Sequence, residues 1–286
     1  MRSALLVFAS CLLLAGCVSA PLRMTYAHME SPSMQGRSMA YALYTPPGWK
    51  KGETLPLVLF LHGGGDDVRC LDQAGIPELL DREISAGRVP RAVVLVPEGD
   101  NGFWMNWADG SNLYEDWVLK DLVPAVAREL GTAPCPDGCH VAGISMGGNG
   151  ALRFALDHPE MFSSVEIISG PILDAAGMKA FTKDPVFRMM APLDRIFGST
   201  DNVERMRRDD PFQRWQSAAD LGRLRLYFAR GTHDREGITP TNEAFRAHLE
   251  KHGIPHRYVV FPGGHRWEDW KNLFPEVLRF AVEGGQ

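Results

Sequence analysis

The stretch "GISMGGNGAL", residues 143–152, decides how the rest of this sequence is interpreted. It contains the pattern Gly-x-Ser-x-Gly, in which Ser145 lies between Gly143 and Gly147. The residues "HVAGIS" (140–145) are typical of a buried strand, and those that follow have the apolar spacing of a helix. A serine on a sharp turn from strand to helix exposes its hydroxyl, and glycines leave room for that turn. We therefore predict that Ser145 is a nucleophile; the alternative is a glycine-rich turn that happens to contain a serine.

Apolar runs and segments of helical spacing alternate along the 286 residues. The predicted strands are 38–46, 55–65, 91–100, 140–145, 162–170, 223–234 and 256–265, the first of them at a sheet edge. The predicted helices are 76–87, 113–130, 147–159, 240–254 and 266–283. This alternation indicates an α/β fold with a mostly parallel sheet and helices on both faces. The carboxyl ends of the strands then share one edge, where we expect the functional site.

One segment interrupts this alternation. Residues 171–222 contain several prolines and charge clusters but no clear strand. We predict that this segment crosses the functional edge of the sheet as a cap; the alternative is a surface insertion without contact to substrate. The predicted organisation is a signal peptide at 1–17, a tether at 18–38 and one catalytic domain at 39–286.

A serine nucleophile needs a base, and the base needs an acid that orients it. After a nucleophile of this kind, the acid and then the base are expected at the ends of later strands. The strand ending "FARGTHD" places Asp234 at the rim, and the last strand, ending "FPGGH", places His265 there. We predict that Ser145, Asp234 and His265 form a catalytic triad. The alternatives by position are Glu236, His233 and His62.

The loop "LHGGG" (61–65) follows an early strand and is the expected source of an oxyanion hole. Glycines let backbone N–H groups face the site, so we predict Gly64 as one donor, with Gly65 as the close alternative. Met146 follows the nucleophile at a helix N-terminus, and its N–H is the predicted second donor. His62 is expected to brace this loop.

Four tryptophans lie near the predicted rim. We predict that Trp104 and Trp107, in "NGFWMNWADG", bind substrate by lining the pocket or stacking on a sugar; the alternative is packing of a long loop. Trp267 and Trp270, in "RWEDW", are expected to pack in the core and steady the loop of His265.

Several motifs together resemble one family. They are "LVLFLHGGGDD", "VVLVPEGDNGFWMNW", "EDWVLKDLVPAV", "VAGISMGGNGALRFALDHPEMFSSVEIISG", "LYFARGTHD" and "FPGGHRWEDW", and they span roughly residues 40–282. They are similar to the esterase family of α/β-hydrolases, whose relatives include S-formylglutathione hydrolases, feruloyl and acetylxylan esterases, siderophore esterases and mycolyltransferases. The resemblance implies the α/β-hydrolase fold and the same site residues, namely Ser145, Asp234, His265, Gly64 and Met146. Relatives differ most in the segment that corresponds to 171–222.

These observations predict a serine carboxylic-ester hydrolase that forms an acyl-enzyme and needs no metal or cofactor. The expected substrates are small or carbohydrate-linked esters of the acetyl or feruloyl type. The alternatives are an acyltransferase of the same fold and an inert binding protein of the cell envelope. The formal net charge is −5 and no basic stripe with interleaved aromatics is present, so no nucleic-acid partner is expected.

The N-terminus has the features of an export signal. Arg2 precedes a short apolar run, and "LAGC" (14–17) resembles a bacterial lipobox. Lipidation of Cys17 would anchor the protein in a membrane, so we predict an exported, periplasmic protein at the outer membrane. The alternative is ordinary cleavage after Ala20.

Two further cysteines fit an oxidising compartment. Cys135 and Cys139 bracket a Pro-Asp-Gly turn, which brings them close enough for a predicted disulfide. A metal pair is the alternative, but nearby ligands are missing from the sequence around it. Cys70 is expected to be a small buried apolar residue.

Overall fold

The computed structural model describes residues 23–198 and 208–283, so the predicted signal peptide and Cys17 lie outside the described residues. The strands are β1 Thr25–Ser31, β2 Arg37–Tyr44, β3 Leu57–Leu61, β4 Val93–Pro97, β5 Cys139–Ile144, β6 Ser164–Ile168, β7 Arg225–His233 and β8 Arg257–Gly264. They form one sheet in the order β1-β2-β4-β3-β5-β6-β7-β8. β2 runs antiparallel to both of its neighbours, and every other pair is parallel.

Helices connect the strands. They are α1 Cys70–Gln73, α2 Ile76–Ser85, α3 Tyr114–Asp116, α4 Val123–Leu130, α5 Met146–Asp157, α6 Ala175–Lys183, α7 Pro185–Met190, α8 Leu193–Phe197, α9 Pro211–Arg214, α10 Ala218–Leu221, α11 Ile238–Lys251, α12 Trp267–Trp270 and α13 Phe274–Glu283. A π-helical segment, Trp117–Leu122, joins α3 to α4, and a 3-10 turn, Lys271–Leu273, joins α12 to α13. The predicted helix at 113–130 is therefore continuous but locally wider than an α-helix.

The sheet is covered on both faces, as the continuous apolar runs predict. All residues of β3, β4, β5 and β6 are buried. Alternate residues of β3 enter two separate apolar clusters, with Leu59 in the cluster that includes Phe154 of α5 and Phe60 in the one that includes Phe274 of α13. Side chains of a strand point alternately to opposite faces, so one apolar run supplies both layers of the core.

The N-terminal boundary of the domain differs from the prediction. Residues 25–31, which were predicted to belong to a tether, form β1. Every residue of β1 pairs with a residue of β2. The predicted edge strand is therefore an inner strand, since β2 is paired on both sides. Burial along β1 is mixed because it is the true edge, and a strand of mixed burial has no apolar run that would mark it. The Ser31 hydroxyl donates to Asp121 Oδ2 at 2.5 Å, which ties the end of β1 to the π-helical segment.

The insertion packs on the edge of the sheet where the parallel strands end. Its described part contains α6 to α10 and no strand. The Ala108 N–H, in the loop after β4, donates to Ile196 O at 3.0 Å. The Arg195 guanidinium lies over the Trp107 ring, 5.2 Å from its centroid. The insertion is therefore attached to a loop of the functional edge, and its role as a cap over the site stays a prediction.

The predicted disulfide between Cys135 and Cys139 is present, and Cys70 is a buried free thiol as expected. Within the part of the chain that the structure describes, no helix is both long enough and apolar enough to cross a membrane.

Candidate active site

Ser145 lies on a strained turn between β5 and α5. Its backbone has φ 52° and ψ −117°, a conformation that side chains rarely adopt. A Cβ on Gly143 would lie 2.2 Å from Gly147 O, and one on Gly147 would lie 1.9 Å from Leu61 O. Both glycines of the motif are therefore sterically required, because any side chain there would collide with backbone.

The structure brings the three predicted triad residues together. His265 Nε2 lies 2.8 Å from Ser145 Oγ, and His265 Nδ1 lies 2.7 Å from Asp234 Oδ1. Asp234 and His265 each follow the last residue of a parallel strand, β7 and β8. The side chains of Asp234 and His265 are 0% and 7% exposed, so the hydrogen bond between them is shielded from water. This geometry allows the imidazole to take a proton from the hydroxyl while the carboxylate orients the ring.

The carboxylate of Asp234 is held in its ionised form. Burial would raise its pKa, but hydrogen bonds from His265, the Ser169 hydroxyl and the N–H groups of Gly231 and Arg235 outweigh burial and lower the pKa to about 2. A carboxylate that accepts several hydrogen bonds is stabilised as the anion. Asp234 therefore keeps its charge throughout the neutral and mildly acidic range.

Sequence analysis missed one residue of this site, Ser169. Its Oγ donates to Asp234 Oδ2 at 2.6 Å, and the Trp270 indole N–H donates to Ser169 Oγ at 2.9 Å. Trp270 is buried, as predicted, and its ring packs against the imidazole of His265 with centroids 4.7 Å apart. The position of Ser169 directly after β6, at the edge where the parallel strands end, is the one sequence signal that marks it.

The glycine-rich loop after β3 lies beside the nucleophile. A Cβ on Gly63 would be 3.6 Å from Ser145 Cβ, and one on Gly64 would be 3.9 Å from Met146 Cβ. Met146 is the first residue of α5, so its N–H has no partner within the helix. Gly64 and Met146 therefore lie close to each other beside the nucleophile, where an oxyanion hole is expected.

His62 braces this loop. The ring is fully buried, Nδ1 lies 2.8 Å from Gly63 O, and Nε2 accepts the N–H of Gly99 at 3.2 Å. Both ring nitrogens therefore have polar partners, one on the loop after β3 and one on the loop after β4. Asn101 Oδ1 accepts the N–H of Gly65 at 2.9 Å and fixes the loop from the other side.

The prediction that Trp104 binds substrate is wrong. Its side chain is 0% exposed, and its indole N–H donates to His62 O at 3.2 Å. Trp107 is half-buried between Tyr114 and Arg195, at the contact with the insertion. Trp104 therefore packs the long loop after β4, which was the alternative interpretation, whereas a role of Trp107 in substrate binding stays a prediction.

A depression lies beside the acid and the base of the triad, and Ser145 is not among the residues that line it. Its lining is formed by the ends of β7 and β8 and the loops that follow, namely His233, Asp234, Arg235, Gly263, Gly264, His265 and Arg266. Across 23–198 and 208–283, no group of three or more His, Cys, Asp or Glu side chains is arranged to hold a metal ion.

The sheet order, the strained serine turn and the Ser–His–Asp chain together define an α/β-hydrolase. The chain belongs to the protein family described as "Putative esterase", whose model matches residues 31–281.

Two curated relatives illustrate the range of similarity. Esterase Rv1288 of Mycobacterium tuberculosis (strain H37Rv) is 28% identical over 82% of this chain and 52% of its own length. The chain thus spans about half the length of that relative. An acetyl esterase of Caldicellulosiruptor saccharolyticus is 23% identical over 80% of this chain and 84% of its own length.

Solved structures share the fold. A ferulic acid esterase superposes with a TM-score of 0.72 at 19% identity, covering 91% of this chain and 98% of that chain. The fluorophosphonate-binding serine hydrolase FphF of Staphylococcus aureus superposes with a TM-score of 0.75 at 20% identity, with the same coverage of 91% and 98%. At these identities the similarity establishes the α/β-hydrolase fold.

Proposed function

We propose that this protein is a serine carboxylic-ester hydrolase that works through an acyl-enzyme. The observation that carries the proposal is the continuous hydrogen-bond chain from Ser145 Oγ through His265 to Asp234, with distances of 2.8 and 2.7 Å. A serine hydroxyl is a weak nucleophile until an adjacent base can accept its proton. The membership of the esterase family supports the same reaction class.

In the first half of the reaction, Ser145 Oγ attacks the ester carbonyl carbon while His265 Nε2 takes the hydroxyl proton. The N–H groups of Gly64 and Met146 stabilise the negative charge that develops on the carbonyl oxygen. Asp234 remains ionised and stabilises the imidazolium. His265 then donates its proton to the departing alkoxide, and the alcohol leaves an acyl group on Ser145.

In the second half, water attacks the acyl carbonyl and gives its proton to His265 Nε2. The tetrahedral intermediate occupies the same oxyanion site and collapses with return of the proton to Ser145 Oγ. The carboxylic acid departs and the free enzyme is regenerated. If an acceptor alcohol attacks in place of water, the same residues catalyse acyl transfer.

The proposed substrates are small or carbohydrate-linked esters of the acetyl or feruloyl type. The support is that the relatives and neighbours include proteins named acetyl esterase and ferulic acid esterase.

We also propose that the protein is exported and anchored through lipidated Cys17. The support is the lipobox-like "LAGC" (14–17) together with the disulfide between Cys135 and Cys139, a bond that persists in oxidising compartments. The mass of the mature N-terminal peptide tests this: a diacylated or triacylated Cys17 is expected, and an unmodified N-terminus at Pro21 would contradict it.

Ester hydrolysis by the purified protein tests the proposed function. We expect release of p-nitrophenol from the acetyl ester or of ferulate from methyl ferulate, and loss of this activity in Ser145→Ala. Added alcohol acceptors distinguish hydrolysis from acyl transfer through the transesterified product. No turnover, together with no labelling of Ser145 by a fluorophosphonate, would favour the inert binding protein.

A further inference from the structure

Ser169 lies directly behind the acid of the triad. It follows β6, its side chain is fully buried, and its backbone has a positive φ of 48°. Its N–H donates to Ala229 O at 2.7 Å, which fixes it to β7, the strand that leads into Asp234. Its Oγ lies 2.6 Å from Asp234 Oδ2 and 2.9 Å from Trp270 Nε1.

The chemistry of these groups sets the direction of each hydrogen bond. The indole N–H of Trp270 is only a donor, so Ser169 Oγ must accept it. The ionised carboxylate of Asp234 is only an acceptor, so the hydrogen of the Ser169 hydroxyl is donated to Oδ2. Hydrogen bonds to an ionised group are stronger than neutral ones. The chain therefore runs in one direction, from Trp270 through Ser169 to Asp234.

We propose that Ser169 and Trp270 are positioning residues of the triad. They hold Oδ2 of Asp234 so that Oδ1 points at His265 Nδ1, 2.7 Å away. This inference rests on the proposed ester hydrolysis, because it assigns these residues a role in that reaction. Ser169 acts through the carboxylate, whereas Trp270 acts through Ser169 and through its contact with the His265 ring.

Two observations give the pair a specific role beyond filling space. Trp270 also contacts the base, since its ring packs edge-on against the His265 imidazole at 4.7 Å. One side chain thus supports the acid through Ser169 and the base by direct contact. The strained backbone of Ser169 would suit glycine, which has no side chain to clash at positive φ. A serine at this position accepts the backbone strain and supplies the hydroxyl that glycine would lack.

Substitutions at Ser169 separate the hydroxyl from the backbone. Ser169→Ala removes the hydroxyl and keeps the strain, whereas Ser169→Gly removes both. If the hydroxyl positions Asp234, both variants lose kcat by about tenfold, the effect of one hydrogen bond to a charged group, with KM little changed. If backbone strain rather than the hydroxyl positioned Asp234, Ser169→Ala would keep wild-type kcat and only Ser169→Gly would lose it, and the proposal would be overturned.

Trp270→Phe keeps an aromatic ring but removes the N–H that orients Ser169, and we expect a smaller loss of kcat than in Ser169→Ala. Ser164→Ala is the matched control, because Ser164 is a fully buried serine at the opposite end of β6, hydrogen-bonded to His140. Wild-type kcat is expected for this control. Circular dichroism verifies that each variant is folded.

A spectroscopic measurement tests the inference without any substrate. The proton between His265 Nδ1 and Asp234 should give a low-field proton NMR resonance in the wild type and in Ser164→Ala. In Ser169→Ala and Ser169→Gly we expect it to broaden through faster exchange with water. An unchanged resonance in both variants would overturn the inference. If the wild type hydrolyses no ester, the proposed function fails, while this resonance still decides the role of Ser169.

Discussion

His265 Nε2 lies 2.8 Å from Ser145 Oγ, although 120 positions separate the two residues in the chain. The contact is possible because β5 and β8 end at the same edge of the sheet, with β6 and β7 between them. Each residue sits just beyond the end of its strand, where the direction of the side chain is set by a turn. A rigid scaffold thus fixes a geometry that flexible loops alone would not.

Asp234→Asn should abolish most of the ester hydrolysis. An amide at this position carries no charge to stabilise the imidazolium and favours the wrong tautomer of His265, so kcat should fall on the order of a thousandfold or more. The rate of p-nitrophenyl acetate hydrolysis measures this. Asp137→Asn is a control, because Asp137 is an exposed carboxylate whose ion pair with Arg223 is far from the triad in the fold. Equal activity of the two variants would contradict the role of Asp234.

The charge of Asp234 should also make stability depend on pH. The hydrogen bonds that hold its pKa at about 2, below the ordinary value of 3.8, favour the folded state. This stabilisation is fully present above the pKa of the carboxyl in the unfolded chain. It is lost as the pH falls through the pKa of about 2 that the carboxyl has in the folded protein. The difference in unfolding free energy between wild type and Asp234→Asn should therefore shrink between about pH 4 and pH 2, as measured by urea unfolding. A difference that is constant over this range would be evidence against the ionised form.

Glu166→Gln should stabilise the protein at alkaline pH and leave its stability unchanged at pH 5. Glu166 lies in the middle of β6, is fully buried, and has no hydrogen-bond partner for either oxygen among the described residues. Burial raises its pKa to about 8 from 4.5, against smaller opposing effects of the nearby Ser164 hydroxyl and of the Arg225 charge. The folded state keeps this proton when the unfolded chain has lost it, so stability falls as the pH rises from 4.5 through about 8.

The measurement is Tm at pH 5 and pH 9 for wild type and Glu166→Gln. The variant should match the wild type at pH 5 and exceed it at pH 9, because glutamine has no proton to lose. Burial lowers the pKa of His140, on the neighbouring strand, to about 3 from 6.5, so the unfolded chain takes up a proton there near pH 5 that the folded protein does not. Wild type and variant share this contribution, so it cancels in the comparison. If the Tm of the wild type at pH 9 is not lower than that of the variant, the prediction of a protonated Glu166 is refuted.

Gly150→Ala should destabilise the fold and loosen the glycine-rich loop. A Cβ on Gly150 would lie 2.6 Å from Cδ1 of the buried Trp104 ring. Trp104 donates to His62 O, so displacement of its ring should reach the oxyanion loop. We expect a loss of roughly 1–3 kcal/mol in unfolding free energy. Gly237→Ala is the control, because nothing lies within 4 Å of a Cβ there and its φ is not positive. Equal stability of the two variants would show that the ring has room to move.

Reduction of the disulfide should lower stability without affecting catalysis. Cys135 and Cys139 are only four positions apart, so the closed loop is short and the entropic effect should be about 2 kcal/mol. Cys139 is the first residue of β5 and Ser145 follows its last, so the disulfide and the nucleophile lie at opposite ends of the strand. Urea unfolding with and without reductant measures the change, and a double alanine variant of the two cysteines should not respond to reductant. A loss of kcat on reduction would contradict this separation.

Features encoded by short stretches were predictable from the sequence. The central parallel strands are continuous apolar runs, because both faces of each strand are buried. The turn at Ser145 is marked by two glycines, because side chains at Gly143 and Gly147 would collide with backbone. Asp234 and His265 were found because each ends a recognisable strand.

Features that depend on distant partners were not predictable. β1 has mixed burial and is a strand only because β2 is beside it. Trp104 has the composition of a binding residue, yet it is buried because Gly150, on α5, leaves space for its ring.

By itself, the sequence determined the α/β alternation, the strained serine turn and the order of nucleophile, acid and base, since periodicity and local steric limits are written in neighbouring residues. Only the tertiary structure decided which side chains support the triad. Ser169 meets Asp234 across 65 positions and Trp270 across 101, and such contacts depend on the order of strands in the sheet. Burial and hydrogen bonding between distant segments are properties of the folded chain, so no local pattern records them.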